Sequence, residues 1–103
     1  MMDLRRIEIG NKLKAVLGNS NTYFQPPENI KLKYPCAIYA REGINIRHAN
    51  DKVYLSHKRY SVTFITDDPD NDYDAKMAEQ FSMVRFDRRY ISDNLYHDVY
   101  TIY

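Results

Sequence analysis

The alternation of apolar and polar side chains predicts two helices and four strands in this chain. Asp3 to Leu17 has apolar residues at helical spacing and is followed by Gly18, a common helix stop. Strand patterns run from Cys36 to Arg41 and from Lys52 to Ile65. A short helical pattern runs from Asp72 to Ser82, with Asp74, Met77, Ala78 and Phe81 on one face. With a C-terminal hairpin, the order is α-β-β-α-β-β. It indicates an α+β fold with one antiparallel sheet and both helices on one face.

The C-terminal residues predict a β-hairpin with a turn at Ser92-Asp93-Asn94. If Ile91 stands opposite Leu95, the opposed side chains are aromatic, oppositely charged and aliphatic pairs, which stabilise antiparallel strands. The pairs are Tyr90 with Tyr96, Arg88 with Asp98, Phe86 with Tyr100, and Val84 with Ile102. Beside the turn lies an apolar hairpin tip, which a short chain can hardly bury, so we expect another molecule to cover it. The hairpin tip consists of Tyr90, Ile91, Leu95 and Tyr96.

Two further features favour contact with a neighbouring molecule. The strand from Lys52 to Ile65 is long and changes the parity of its apolar residues across a polar stretch that includes Lys58 and Arg59. We expect a bulge there, or a strand that leaves the body of the domain, with both basic residues outside the core. The first helix also carries Leu4 and Ile7 opposite its main apolar stripe, so either its first turn is frayed or a neighbouring subunit covers it. The main stripe consists of Ile9, Leu13, Val16 and Leu17.

Two segments are predicted to be irregular. The connection from Gly18 to Pro35 contains three prolines, which favour an extended backbone. Within it, Tyr23 and Phe24 either pack against the core, the favoured alternative, or anchor a partner. The segment from Gly43 to Asp51 is predicted to be a polar loop.

Composition narrows the classes of function. The 103 residues fit a single domain, 1–103, with one modest core. With 15 basic and 14 acidic side chains the net charge is +1, without the basic excess of a dedicated nucleic-acid-binding protein. No secretory signal is evident, and no apolar run approaches the ~20 residues that are needed to cross a bilayer. Cys36 is the one cysteine, so no internal disulfide can form. We therefore expect a protein of a reducing cytoplasm. Ten tyrosines favour a protein that packs against others.

No group of residues predicts catalysis, a cofactor or a metal site. Five aspartates crowd the acidic segment from Asp67 to Asp74, but Tyr73 stands where a calcium-binding loop needs glycine. Helix N-termini favour negative charge, which explains the cluster better, and a surface that repels phosphate groups is a further alternative. The residues predicted for such a surface are Asp67, Asp68, Asp70 and Asp72. The histidines lack zinc-ligand spacing.

Two rival classes follow from other patterns. Two segments, Lys58-Arg59-Tyr60 and Arg88-Arg89-Tyr90, place basic residues next to an aromatic one. Proteins that bind single-stranded nucleic acid combine these residue types in their binding grooves. A nucleic-acid-binding module with a ferredoxin-like sheet is therefore one rival. Because the net charge is near zero, the favoured interpretation is that these basic side chains are solvated and protect strand edges from unwanted pairing. A small enzyme is the other, and it would need a pocket with convergent polar groups, for which no candidates stand out.

Three parts of the chain have a distinctive order of residues: Tyr23 to Cys36, Tyr60 to Thr63 with Asp67 to Asp70, and Arg85 to Tyr90 with Asp93 to Tyr100. Together they resemble a family of small virion proteins of long-tailed bacteriophages, the tail-completion or tail-terminator proteins. The resemblance extends over nearly the whole chain and involves no catalytic motif.

This resemblance implies a tail-terminator-like α+β subunit of a homo-oligomeric ring, usually sixfold. Such a ring sits on the head-proximal end of the viral tail tube, stops its growth and offers a docking surface to the head connector. DNA passes through the lumen without specific binding. The implied location is the virion, after assembly in the host cytoplasm, and no enzyme activity or cofactor is implied. A head-closure or connector protein of the same neck is the alternative.

Overall fold

The computed structural model describes the backbone of residues 4–26, 30–49 and 52–103, and the side chains of residues 5–26, 30–41 and 59–103. The five strands form one sheet in the order β1-β2-β3-β5-β4, in which only β1 and β2 run parallel. The α+β class with two helices and one sheet is therefore confirmed, but a purely antiparallel sheet is not. The elements are α1 (Leu4–Leu17), β1 (Thr22–Phe24), β2 (Cys36–Ala49), β3 (Lys52–Thr66), α2 (Tyr73–Gln80), β4 (Val84–Ser92) and β5 (Leu95–Ile102).

The additional strand β1 lies in the connection that was predicted to be irregular. Its three residues pair with residues 37–39 of β2. Phe24 packs on the core, and its ring centre lies 5.2 Å from that of Tyr39. The core alternative is therefore confirmed for Phe24. Three residues are too few to show a strand periodicity, so only the parallel pairing with β2 reveals this element.

The helix α1 buries its predicted apolar stripe against the sheet. Ile9, Leu13 and Val16 are nearly inaccessible to solvent, and Leu17 packs against them at the margin of the core. Gly18 ends the helix with a φ of 77°, a left-handed conformation that glycine adopts without strain. The sheet side of this core consists of Ala37, Tyr39, Tyr60, Val62, Phe64, Tyr100 and Ile102.

The helix α2 lies against the same core, and its buried face agrees in part with the predicted one, which included Met77 and Phe81. Tyr73 and Met77 are buried within the helix, and Phe81 is buried directly after it. These positions are four residues apart, as expected for one helical face. Asp74 and Ala78, which were predicted to share that face, are exposed. The buried face is centred on Met77, with Tyr73 and Phe81 on either side, so it is turned away from Asp74 and Ala78.

Gly10 occupies the middle of α1 because Tyr39 approaches it closely. A Cβ atom at residue 10 would lie 2.6 Å from the Tyr39 hydroxyl oxygen. That hydroxyl donates a hydrogen bond of 3.5 Å to the backbone oxygen of Arg6. The glycine therefore lets the tyrosine reach the helix backbone.

We expect Gly10→Ala to lower the free energy of unfolding by about 1 kcal/mol. Overpacking costs ~1–3 kcal/mol, which outweighs the gain of ~1 kcal/mol in helix propensity. In a Tyr39→Phe background, where the hydroxyl is absent, the same change should be neutral or stabilising. Urea denaturation of the four proteins of this cycle measures the difference, and an equal loss in both backgrounds would contradict the proposed contact.

Strands β2 and β3 continue beyond the other strands as a two-stranded ribbon. β5 pairs with β3 only at residues 60–66, whereas β2 and β3 pair with each other out to Ala49 and Lys52. The molecule is correspondingly elongated, with extents of 50 × 28 × 23 Å. The alternative in which β3 leaves the body of the domain is thus confirmed. The polar loop predicted from Gly43 to Asp51 is wrong, because β2 extends to Ala49, and the register shifts follow Arg41 and Arg47 instead of lying at residues 56–59.

Candidate assembly surface

The turn of the C-terminal hairpin is one residue shorter than predicted. Asp93 and Asn94 have positive φ angles of 53° and 62°, as in the type I′ turns whose twist matches that of the flanking strands. Ser92 consequently pairs with Leu95. The predicted pairs nearest the turn are therefore wrong by one residue. Aspartate and asparagine accept left-handed backbone conformations more readily than most residues, which makes the shorter turn possible.

A β-bulge at Asp87 restores the predicted register farther from the turn. Phe86 stands opposite Tyr100, as predicted, because Asp87 is an extra residue without a partner on β5. The Asp87 carboxylate accepts a hydrogen bond of 2.6 Å from Thr101 and pairs with Arg85 Nε at 2.7 Å. Burial acts to raise the pKa of Asp87, but these two hydrogen bonds outweigh it and lower the pKa. The bulge thus corrects the offset that the short turn introduces.

The one-residue shift places Arg89, instead of the predicted Arg88, opposite Asp98. The buried Asp98 carboxylate accepts hydrogen bonds from Arg89 at 2.6 and 3.1 Å and from Asn71 at 3.0 Å. Burial acts to raise the pKa of Asp98, but the hydrogen bonds from Arg89 and Asn71 outweigh it and lower the pKa. Arg89 also donates to the backbone oxygen of Pro69 at 3.1 Å. This side chain therefore connects the hairpin to the acidic segment.

The hairpin tip is only partly covered by its own chain. Ile91 is 66% and Tyr90 41% exposed, whereas Leu95 and Tyr96 are half-buried. The Tyr90 ring stacks on His97 with ring centres 4.7 Å apart, which holds its apolar surface in place beside the turn. Contact of the tip with another molecule stays a prediction.

β4 is an edge strand along its whole length. Among the described strands it pairs only with β5, and every side chain after Val84 is exposed. These side chains include Phe86, which is 51% exposed. Such an edge presents unpaired backbone N–H and C=O groups that another strand can bind, while charged side chains discourage random pairing. Arg85 and Arg88 fill that second role on β4.

The other predicted contact residues are distributed over two regions. Ile7, on the outer side of α1, is 38% exposed. Arg59 is half-buried where the β2–β3 ribbon leaves the sheet. The side chains of Leu4 and Lys58 lie outside the described residues. Arg59 lies toward the end of β3 that is away from the hairpin tip, since Tyr96 of the tip pairs with Thr66 at the other end of that strand. The structure therefore does not gather all of these residues into one surface.

The acidic segment forms an exposed turn next to the hairpin tip. The backbone N–H of Asp70 donates to the Asp68 carboxylate at 2.9 Å, and Asp72 pairs with Lys76 at 3.5 Å. Among the residues with described side chains, no three His, Cys, Asp or Glu residues are grouped to hold a metal ion. The candidate charged surface is thus solvent-exposed at Asp67, Asp68, Asp70 and Asp72.

An apolar groove that the sequence did not predict lies near the opposite edge of the sheet. It has a volume of about 530 Å³ and separates the connection before β2 from β2 itself. Exposed Lys31 and Lys33 alternate with its lining residues, and this alternation from Ile30 to Lys33 was the available signal. The apolar groove is lined by Gln25, Pro26, Ile30, Leu32, Ile38, Ala40 and Arg41.

The cysteine and a second cavity are further candidates for a chemical site. Burial raises the pKa of Cys36 to about 11, so its thiol is protonated and unreactive at neutral pH. A second cavity, of about 290 Å³ beside α1, includes Glu8 and Lys12, which pair with each other at 3.1 Å.

In the part of the chain that the structure describes, no helix is long and apolar enough to span a bilayer.

No protein-family model matches this chain, and a search of curated proteins gives no significant match.

Proposed function

We propose that this chain is a structural subunit of a bacteriophage neck. Copies form a ring on the head-proximal end of the tail tube, end tube growth and join the tail to the head connector. The observation that supports assembly most strongly is the exposed Ile91 at the end of an exposed edge strand. Large exposed apolar side chains next to an unpaired strand edge are typical of interaction surfaces.

Ring assembly requires two different contact surfaces on each subunit, because a heterologous contact is what closes a ring of identical chains. The two edges of this sheet differ in the required way. One edge is the nine-residue strand β4, and the other is the three-residue strand β1 beside the apolar groove. This asymmetry favours a ring over a two-fold dimer.

The acidic segment has a place in the same proposal. Its exposed carboxylates would face the lumen and repel the phosphate groups of DNA, so that DNA passes without binding. The net charge of +1 supports this part of the proposal, because dedicated nucleic-acid-binding proteins carry an excess of basic residues. The other proposed partners are the tail tube protein and the head connector.

Two alternative functions are a head-closure protein and a nucleic-acid-binding module, and the structure supports them unequally. A head-closure protein of the same neck would need the same exposed surfaces and differs only in the structure that it binds. A ferredoxin-like nucleic-acid-binding module has the order β-α-β-β-α-β, whereas this chain has the order α-β-β-β-α-β-β. The fold therefore disfavours the second alternative.

The proposal is tested with the purified protein and polymerised tail tubes from the phage that carries it. Light scattering should detect rings, or a monomer that co-sediments with tubes, and tubes polymerised in its presence should be shorter. Binding to isolated head connectors without any effect on tubes would indicate the head-closure protein instead. A monomer that ignores both structures and binds oligonucleotides in a salt-dependent way would contradict the proposal.

We expect Ile91→Asp to abolish assembly while changing the free energy of unfolding by less than ~0.5 kcal/mol, since the residue is exposed. Met83→Asp is a matched control, because Met83 is 62% and Ile91 66% exposed. The control should assemble normally. Loss of folding in Ile91→Asp, seen by circular dichroism, would mean that the hairpin tip belongs to the core of the subunit.

A further inference from the structure

We infer that the hairpin tip of one copy inserts into the apolar groove of the next copy, with Ile91 seated in the groove. This inference rests on the proposed function, since it names the surface through which one ring subunit holds its neighbour. The occupant of the groove is therefore a second copy of this chain.

The hairpin tip and the apolar groove belong to opposite sides of the subunit. In the strand order β1-β2-β3-β5-β4, the tip connects the last two strands and the groove adjoins the first two. A protruding apolar patch and a complementary pocket elsewhere on the same molecule cannot satisfy each other within one subunit. Between copies they produce a heterologous contact, the kind that closes into a ring when the rotation is suitable.

The two surfaces also match in chemical character. Ile91 projects from the end of β4 with 66% of its surface exposed. The groove offers half-buried aliphatic side chains, among them Leu32, Ile38 and Ala40, in a volume of about 530 Å³. Insertion would remove apolar surface from water on both copies at once, which is the main favourable contribution to association.

The hairpin tip and the groove also carry opposite charges. Arg41 lines the groove, and Lys31 and Lys33 flank its lining residue Leu32 in sequence; all three basic side chains are exposed, and we call them the basic rim. Asp93 is exposed at the turn of the hairpin, beside Ile91. Opposite charges face each other when a tip meets a groove, which favours this pairing over others.

The symmetric alternative, in which two hairpin tips meet, is electrostatically unfavourable. It would bring Asp93 of one copy close to Asp93 of the other. Like charges in such a contact oppose association. It would also leave the apolar groove of both copies exposed to water.

Disulfide trapping of the assembled protein tests this contact. The double variant Ile91→Cys/Leu32→Cys, mildly oxidised with diamide, should give a ladder of covalent oligomers on a denaturing gel that ends at the ring number. Either single variant should give no ladder, because the native Cys36 is fully buried. Met83→Cys/Leu32→Cys, the matched control, should also give none. Dimers formed by Ile91→Cys alone would show that tips meet tips and would overturn the inference.

A second measurement uses variants that each lack one surface. Ile91→Asp has no functional tip, and Lys31→Glu/Lys33→Glu has a groove with a reversed rim. Each should lose assembly alone, whereas their mixture should form a 1:1 heterodimer and nothing larger, as measured by light scattering. Wild-type assembly together with no ladder and no heterodimer would overturn the inference and leave the proposed function intact. A wild-type protein that neither self-associates nor binds tail tubes would instead overturn the proposed function.

Discussion

Arg89→Leu is expected to lower the free energy of unfolding by about 2–3 kcal/mol at pH 7. The change leaves the Asp98 carboxylate, which is 2% exposed, without the guanidinium that pairs with it at 2.6 Å. Removal of one partner from a fully buried ion pair costs ~3–5 kcal/mol, and the cost here is lower because 37% of the Arg89 side chain is exposed to solvent.

The destabilisation should depend on pH in a defined direction. The pKa of Asp98 is lowered in the folded wild-type protein, so its pairing contributes stability above the unfolded pKa of about 3.9. That contribution is lost as the pH falls through the folded pKa. In Arg89→Leu the unpaired carboxylate should titrate at a higher pH, and its protonation relieves the penalty. The stabilities of variant and wild type should therefore converge below about pH 4.

Urea denaturation at several pH values measures both effects, with Arg88→Leu as the matched control. Arg88 is the exposed neighbour that was predicted to pair with Asp98, but in the structure it stands opposite Val99. Its replacement should change stability by less than ~0.5 kcal/mol. Equal losses in the two leucine variants, or a loss in Arg89→Leu that does not vary with pH, would contradict this account of the pair.

Phe64→Ala should be the most destabilising of the aromatic truncations, at about 3–5 kcal/mol. Phe64 is fully buried, and its ring contacts those of Tyr73 at 4.6 Å and Tyr100 at 5.6 Å between centres. The alanine variant would lose all of these contacts and leave a cavity. The total stability of a domain is ~5–15 kcal/mol, so a large part of it would be lost.

Phe86→Ala is the informative comparison, because Phe86 contacts the same tyrosine from the exposed side. Its ring centre lies 5.3 Å from that of Tyr100, but 51% of the residue is exposed. We expect a loss of stability below ~1 kcal/mol, and a clear weakening of self-association if β4 is covered in the ring. Thermal unfolding and light scattering of both variants separate the two effects. Normal assembly of Phe86→Ala would restrict the interface to the hairpin tip.

Local sequence pattern was sufficient for most of the helices and strands. The stripe of α1 and the glycine that ends it follow from spacing alone, because helical periodicity extends over several turns. The class of fold follows from the order of these elements. The exposure of Ile91 was also foreseeable, since it lies beside a turn in a chain with room for one small core.

The register of the hairpin shows where local pattern fails. Pairing Arg88 or Arg89 with Asp98 satisfies the charges equally well, and both alternatives are compatible with Phe86 opposite Tyr100. The choice between them depends on a two-residue turn and a compensating bulge at Asp87. A β-bulge inserts one residue without a clear change in the alternation of apolar and polar residues, so the sequence does not reveal it. The neighbouring strand selects the register through contacts such as the hydrogen bond from Thr101 to Asp87.

The sequence by itself determined that this is an α+β protein with two helices, a long central strand and an apolar hairpin tip. Only the tertiary structure decided that Asp98 pairs with Arg89, that residues 22–24 join the sheet, and that an apolar groove lies near the edge opposite the tip. The physical reason is the range of the interactions involved. Periodicity reports on neighbours along the chain, whereas register, edge strands and concave surfaces arise from contacts between residues that are distant in sequence.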